Sequence, residues 1–363
     1  MSVPLPSKSR TAFHWSILIL LSAVMVGVLE LLRMPAALLL APMAAAVIIS
    51  TRGIAIKVPR HAFFAAQSVV GCLIAHSITP STLGTVAARW PMFFGTIFAV
   101  LIASCFCGWL LARFQVLPGS VAVWGSAPGA ASAMTVLAGA HGADMRLVAF
   151  MQYLRVVFVA LAAALVSGLW AGSSGPPAHA MEWFPDLAWK DVAATLALAA
   201  IAGTGGRLLK IPAGGLLGPL IAGAILQGSG IMTITLPPWF LAVSYAIIGW
   251  NIGTRFTREI LTYVAGALPR VALAIVAQIG FCVGVASLLT RFAGIDPLSA
   301  YLATSPGGAD SIAIIAASSH VDLSFVMAMQ TLRLFLVLLV SPSLARLVAR
   351  QIDKVIKPAT AAP

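Results

Sequence analysis

A chain of 363 residues that is 60% hydrophobic and 9% charged, with mean hydropathy +1.01, is not an ordinary soluble domain, in which about a quarter of residues are charged. The net charge of +12 would suit nucleic acid, but no loop is long enough to fold as a DNA-binding domain. Basic residues gathered in short loops on one side of a bilayer account for it, and long runs that are apolar on every face exclude a β-barrel.

Twelve apolar segments are predicted to be helices, six in each half. In the first half they run over roughly 12–32, 35–50, 62–78, 90–112, 118–139 and 147–170. The first follows Lys8 and Arg10 as a signal peptide would. It is too long for such a peptide's apolar region and lacks a small-x-small cleavage site, so it reads as a retained helix. Several segments exceed the ~20 residues that cross a bilayer. Cys72, Cys105, Cys107 and Cys282 all lie in apolar runs without metal-type spacing and read as packing residues. A polar linker, 171–190, leads to the second half, with segments at 191–208, 212–227, 238–253, 268–290, 297–317 and 323–345. The expected organisation is thus a first membrane repeat over 12–170, the linker, a second repeat over 191–349 and a cytoplasmic tail at 350–363.

The halves share a motif. Ser126-Ala127-Pro128-Gly129-Ala130-Ala131-Ser132 is followed by Asp144, Gln152 and Arg155; Thr304-Ser305-Pro306-Gly307-Gly308-Ala309-Asp310 is followed by Asp322, Gln330 and Arg333. A constant step of 178 residues carries one set onto the other. Pro35 and Pro42 match Pro212 and Pro219 at a step of 177, and Gly71 and Pro91 match Gly249 and Pro269 at 178.

Loop charge arbitrates the topology. If both fifth segments cross fully, the halves have the same orientation, and about 12 basic residues fall inside against 7 outside. If each fifth segment dips in and returns, each half makes five crossings and the second is inverted. The balance then becomes 15 against 4, with only Arg33, Arg89, Lys190 and Arg291 outside. The inverted arrangement obeys the positive-inside rule better. The count constrains parity only, so a fully crossing broken segment with another pair merged fits as well.

The Pro-Gly breaks read as a binding device. Ser305 before Pro306 has the pattern of an N-cap followed by a first-position proline. Gly307 and Gly308 permit close backbone approach, and a helix restarting in the membrane presents free N–H groups and a positive dipole end at depth. Arg155 and Arg333 lie well inside apolar runs, where a charge costs ~2.5–3.5 kcal/mol on the insertion scale and needs a partner or a wet site. Gln152 and Gln330 precede them by three residues, on the same helix face. Two readings stand side by side. The guanidiniums and half-helix ends bind a carboxylate-bearing solute, making Ser126, Pro128, Gly129, Gln152, Arg155, Ser305, Pro306, Gly307, Gly308, Gln330 and Arg333 a substrate site; or each arginine satisfies carbonyls of the neighbouring broken segment. Asp310 is the candidate coupling acid for H⁺ or Na⁺, with pairing to Arg333 as its alternative. Asp144 and Asp322 read as helix N-caps. Asn251 lies between Gly249 and Gly253, a spacing of close helix packing, and Gln67 and Gln278 read as interhelical glue. No cofactor is expected: the six histidines form no ligand pair, and no phosphate-binding or nucleophile motif occurs.

On the duplicated signatures, each with its Asp, Gln and Arg, the chain resembles the AbrB family of duplicated bacterial inner-membrane proteins, from about Ala12 to Arg350. The second signature fits the family pattern closely; the first departs at Ala127, Ala130 and Ser132. The family carries labels of a regulator of gene expression and of an ammonia monooxygenase, and is unrelated in architecture to the small soluble DNA-binding regulator of the same name. By analogy of plan, the duplication is also similar to cation–proton antiporters and anion transporters.

The expectation is therefore an all-α polytopic protein of the bacterial inner membrane, with two inverted repeats of about five crossings, each carrying a broken or re-entrant segment. It is a non-enzymatic secondary transporter of a small anionic organic solute, coupled to H⁺ or Na⁺. The alternative is an inner-membrane protein that regulates gene expression indirectly, through a soluble partner. Solute and lipid are the expected partners, nucleic acid is not, and a homo-oligomer is left open.

Overall fold

The structure, a computed structural model, describes residues 8–32, 36–54, 56–117, 121–127, 134–135, 138–139, 142–170, 183, 188–211, 213–319 and 321–356. Within some helices, Asp310 included, only the backbone is described. Among the described residues there is no strand. The helices are α1 (Lys8–Leu31), α2 (Ala37–Thr51), α3 (Arg60–Ser77), α4 (Pro80–Ala88), α5 (Trp90–Arg113), α6 (Val121–Ser126), α7 (Met145–Trp170), α8 (Trp189–Leu208), α9 (Gly214–Gly228), α10 (Pro238–Gly253), α11 (Arg258–Val264), α12 (Leu268–Ala293), α13 (Pro297–Thr304), α14 (Ala309–Ala317) and α15 (Leu323–Ile356). Among the described residues four stretches, in α1, α5, α7 and α12, are long and apolar enough to cross a membrane.

Each predicted segment corresponds to a described helix or to two shorter pieces, except 118–139, of which α6 and a few further residues are described. The fifth segment of the second half is interrupted: α13 ends at Thr304, residues 305–308 are not helical, and α14 begins at Ala309. In the first half α6 ends at Ser126, and Pro128, Gly129 and Ser132 lie outside the described residues. So do Pro35, Pro212, nearly all of the linker and the last residues of the tail. The pattern missed α4 and α11, which are too short to register as apolar runs. Both start from a threonine: Thr79 Oγ1 accepts from Thr82 N in a capping box, and Thr257 Oγ1 accepts from Ile260 N. These helices too are 178 residues apart. Ala36 and Ala213 adopt left-handed φ of 57° and 54° at equivalent positions before α2 and α9, a rare conformation for a residue with a Cβ.

The helices sort into two groups. In the first, α3 packs on α9 and α8, α10 on α2 and α3, α9 on α8 and α1 on α2. In the second, α5 packs on α6 and α12, α7 on α6, α12, α13 and α14, and α15 on α4, α5, α6, α13 and α14. Between the groups the main contacts are α14 and α15 against α3, and α14 against α2. The first group thus holds the first three helices of both halves, and the second holds α6 and the interrupted α13–α14 segment.

Close packing in the first group is reciprocal. A Cβ on Gly71 of α3 would stand 2.5 Å from the carbonyl oxygen of Leu216 and 3.2 Å from Pro219 Cβ on α9. One on Gly249 of α10 would stand 2.8 Å from the Leu39 oxygen and 3.3 Å from Pro42 Cβ on α2. The third helix of each half therefore meets the second helix of the other half through the same residues. Gly253, four further on, is as tight against Met43, so the Gly249–Gly253 pair is a packing device, as its spacing predicted.

Gly71→Ala and Gly249→Ala should each lower the thermal midpoint of the purified protein, because the neighbour is backbone and overpacking costs ~1–3 kcal/mol. Gly95→Ala in α5, where a Cβ meets nothing within 4 Å, should hold or raise it. Equal behaviour of all three variants would refute the contact.

Candidate functional site

The second helix group is organised by its broken segments. Arg155 lies ten residues beyond the start of α7 and Arg333 ten beyond the start of α15. At 1.5 Å per residue both are roughly 15 Å along their helices, half of a ~30 Å hydrocarbon core. Neither reaches solvent: they are 1% and 3% exposed, and Gln152 and Gln330 are as deeply buried.

A helix ends with carbonyls that have no intrahelical partner, and here the preceding half-helices end in the interior. The neighbouring long helix supplies the donors. Gln152 Nε2 donates to the Trp124 and Ala127 oxygens at 2.8 and 3.0 Å. Arg155 Nη1 donates to the Ser126 and Ala127 oxygens at 3.0 and 2.9 Å, and its Nη2 donates to Gln152 Oε1 at 2.6 Å. In the second half, Gln330 Nε2 donates to the Leu302 and Ser305 oxygens at 2.6 and 3.4 Å. Arg333 Nη1 donates to the Ser305 oxygen, and Nη2 donates to the Gly307 oxygen at 2.9 Å and to Gln330 Oε1. Both glutamines use acceptors at equivalent positions, so the 178-residue step in sequence is also a step in geometry. The arginines sit at the negative ends of α6 and α13, where a cation is favoured. Their Nε atoms, also buried, have no partner.

The helix restarts later than expected. Ser305 is the C-cap of α13, and its hydroxyl donates back to the Leu302 oxygen at 3.0 Å. Gly308, not Ser305, precedes the first residue of α14. The non-helical stretch therefore spans Ser305, Pro306, Gly307 and Gly308, all buried. A Cβ on Gly307 would press on Ile312 at 2.9 Å and Val159 at 3.2 Å, which accounts for glycine there. Asp310 follows in the first turn of α14, and its side chain lies outside the described residues.

The segment returns to where it started, since Asp322 N donates to Ser299 Oγ in the first turn of α13 at 2.9 Å. The two aspartates are caps as predicted: Asp322 Oδ1 accepts from Phe325 N at 2.9 Å, and Asp144 Oδ1 from Arg146 N at 2.8 Å. A cleft of about 630 Å³ opens beside this turn, with Arg89, Asp296, Ser299, Asp322 and Phe325 in its wall. Around the break, Tyr301 Oη donates to the Val159 oxygen at 3.3 Å, Thr304 Oγ1 to the Cys282 oxygen at 3.1 Å, and Gln278 Nε2 to Ser104 Oγ. Gln278 is thus interhelical glue, as read from the sequence. Ser104 and Tyr301 escaped that reading because a lone hydroxyl in an apolar run has no periodic signature. Asn251, in the other helix group, keeps an unpaired buried Nδ2.

Helices of this length and hydropathy, two of them carrying buried arginines, define a polytopic helical membrane protein. The family described as "Transition state regulatory protein AbrB" matches residues 39–349, and the chain belongs to the AbrB family. It is similar to the Escherichia coli (strain K12) protein named "Putative regulator AbrB", with 47% identity over 94% of this chain and 98% of that one. It is also similar to the Bacillus subtilis (strain 168) protein named "Uncharacterized protein YhjN", with 25% identity over 77% of each chain.

Gln152→Leu and Gln330→Leu each remove two donors from buried carbonyls and an acceptor from a buried guanidinium. Each should destabilise the protein by ~2 kcal/mol or more, read as a lower midpoint in thermal or denaturant unfolding. Midpoints equal to wild type would dismiss these glutamines as clamps of the break.

Proposed function

We propose that this protein is a secondary transporter of a small anionic organic solute in the bacterial inner membrane, with the buried break between α13 and α14 at its centre. The observation that carries the reading is an interrupted segment whose chain ends are tied together at one end of the helix group, clamped at mid-depth by a Gln–Arg pair. Irregular backbone at that depth is tolerated where it is enclosed by protein or lines a cavity, and broken helices near the midplane are a recurrent plan of transporters. The reciprocal Gly71 and Gly249 contacts favour two repeats related by an internal two-fold, of opposite orientation as the loop charges suggest. The cleft by Arg89 and Ser299 is the natural approach from outside. Transport would then move one helix group past the other, with α14 and α15 sliding on α2 and α3.

In this reading the Pro128–Gly129 and Pro306–Gly308 breaks contact solute, Arg155 and Arg333 supply positive charge, and Asp310 couples flux to H⁺ or Na⁺. The name of the Escherichia coli relative agrees with the alternative, a membrane protein acting on gene expression through a soluble partner.

Proteoliposomes containing the purified protein should accumulate carboxylate solutes under an imposed H⁺ or Na⁺ gradient. Asp310→Asn should abolish the dependence on the gradient, and Arg333→Ala should abolish flux. Full flux in both variants, with the protein folded, would remove these residues from the mechanism.

Orientation has its own check. Cysteines replacing Arg89 and Asp296 should react with an impermeant maleimide added outside intact cells, and one replacing Arg255 should react only after lysis. Any other pattern rejects the inverted arrangement.

A further inference from the structure

The cleft beside the Asp322–Ser299 tie holds charges of both signs that do not meet. Arg89, at the junction of α4 and α5, lines it together with Asp296 and Asp322, the caps of α13 and α15. Among the described residues the Arg89 guanidinium makes no ion pair with either aspartate or with any other group. Each aspartate spends one oxygen on its cap: Asp296 Oδ2 accepts from Ser299 N and Asp322 Oδ1 from Phe325 N, both at 2.9 Å. The second oxygen of each has no partner among the described residues. Ser299 is fully buried and its Oγ accepts from Asp322 N, yet no described group takes the hydroxyl hydrogen.

Opposite charges in one cavity gain by closing on each other. Here they stand around a hollow of about 630 Å³, within the ~300–1,000 Å³ of small-molecule sites. The rest of its wall is mostly apolar, with Met92, Ile295, Val321 and Phe325. The 178-residue step carries Arg89 onto Ala267, and carries Asp296 and Ser299 back onto Pro118 and Val121. Only Asp322 has a like counterpart, the cap Asp144. The other repeat forms its helices without that guanidinium, carboxylate and hydroxyl, so the repeat itself does not require them. A lone anion in the cleft would meet two carboxylates, and a metal cation would meet the guanidinium. A neutral solute would leave both signs unanswered. A zwitterion answers both.

We propose that this cleft binds a free amino acid with an apolar side chain. Its carboxylate takes Arg89 and the Ser299 hydroxyl, its ammonium lies against the free oxygens of Asp296 and Asp322, and its side chain rests on Met92, Ile295 and Phe325. The site goes beyond the transport reading and does not depend on it. Because Ser299 and Asp322 lie at the two ends of the broken segment, the bound amino acid ties both ends to the α4–α5 junction.

The test uses the purified full chain in detergent, titrated with L-leucine, L-methionine and L-phenylalanine. At least one should raise the thermal midpoint by a few degrees and saturate, as ligand linkage requires. Its amide keeps only the ammonium and its deaminated acid keeps only the carboxylate. Each should bind ~fivefold or more weakly, having lost a hydrogen bond to a charged group. Arg89→Gln should erase the preference for the amino acid over its amide. Asp296→Asn combined with Asp322→Asn keeps capping side chains and should erase the preference over the deaminated acid. A merely structural role for these residues would lower the midpoint without changing which of the three compounds binds best. Should a variant fail to fold, the comparison of amino acid, amide and acid on wild-type protein decides alone. The proposal is overturned by no saturable effect of any of the three amino acids, by equal binding of the amide or the deaminated acid, by saturation with calcium chloride in their place, or by unchanged selectivity in the folded variants. Flux is measured separately: amino-acid binding without flux leaves this site standing and tells against transport, and carboxylate flux without amino-acid binding does the reverse.

Discussion

A helix that stops inside an apolar interior leaves carbonyl oxygens that no water can reach, and the second helix group is built around that constraint. At the ends of α6 and α13 alike the answer is one glutamine and one arginine, three residues apart on the long helix that follows. The glutamine amide bonds the carbonyls of the last turn, its oxygen accepts a hydrogen bond from the arginine, and the arginine covers the remaining oxygens. Side chains of this size and charge are costly at such depth unless nearly every polar atom is paired. Pairing holds for the Nη atoms and fails only at Nε.

The clamp also explains why two kinds of helix contact coexist. The first group uses bare close approach, with glycines set against carbonyls and prolines of the facing helix. The second is tied through buried polar side chains: Gln278 to Ser104, Thr304 to Cys282, Tyr301 to Val159. One group is a packed frame, and the other holds an irregular backbone in a fixed shape. Three helix pairs carry the main contacts between them.

Much of this was legible in the chain. Hydropathy placed every long helix, because a bilayer demands unbroken apolar length. The repeat located the break at 305–308 and both Gln–Arg pairs, because the 178-residue step carries Ser126–Arg155 onto Thr304–Arg333 without insertion; the first-half break at Pro128 lies outside the described residues. The caps at Asp144 and Asp322 followed from position alone. Ser305 was misplaced because Ser-Pro is the pattern of a helix start, whereas the serine closes the helix before it. Short α4 and α11 carry too few residues for a period to show. The hydroxyl partners Ser104 and Tyr301 depend on which helix comes alongside, and no local pattern contains that.

The sequence by itself determined that this is a duplicated, helical, membrane-embedded chain with a charged residue buried in each half. Length, hydropathy and internal spacing are properties of a single strand of residues, and they survive without knowledge of any neighbour. Which atoms those charges touch was decided only in three dimensions. Arg155 and Arg333 could have faced the start of the next half-helix or the end of the preceding one, and the packing of α7 and α15 set them at the end. The orientation of a guanidinium is settled by acceptors on other helices, and their places are fixed when the helices pack.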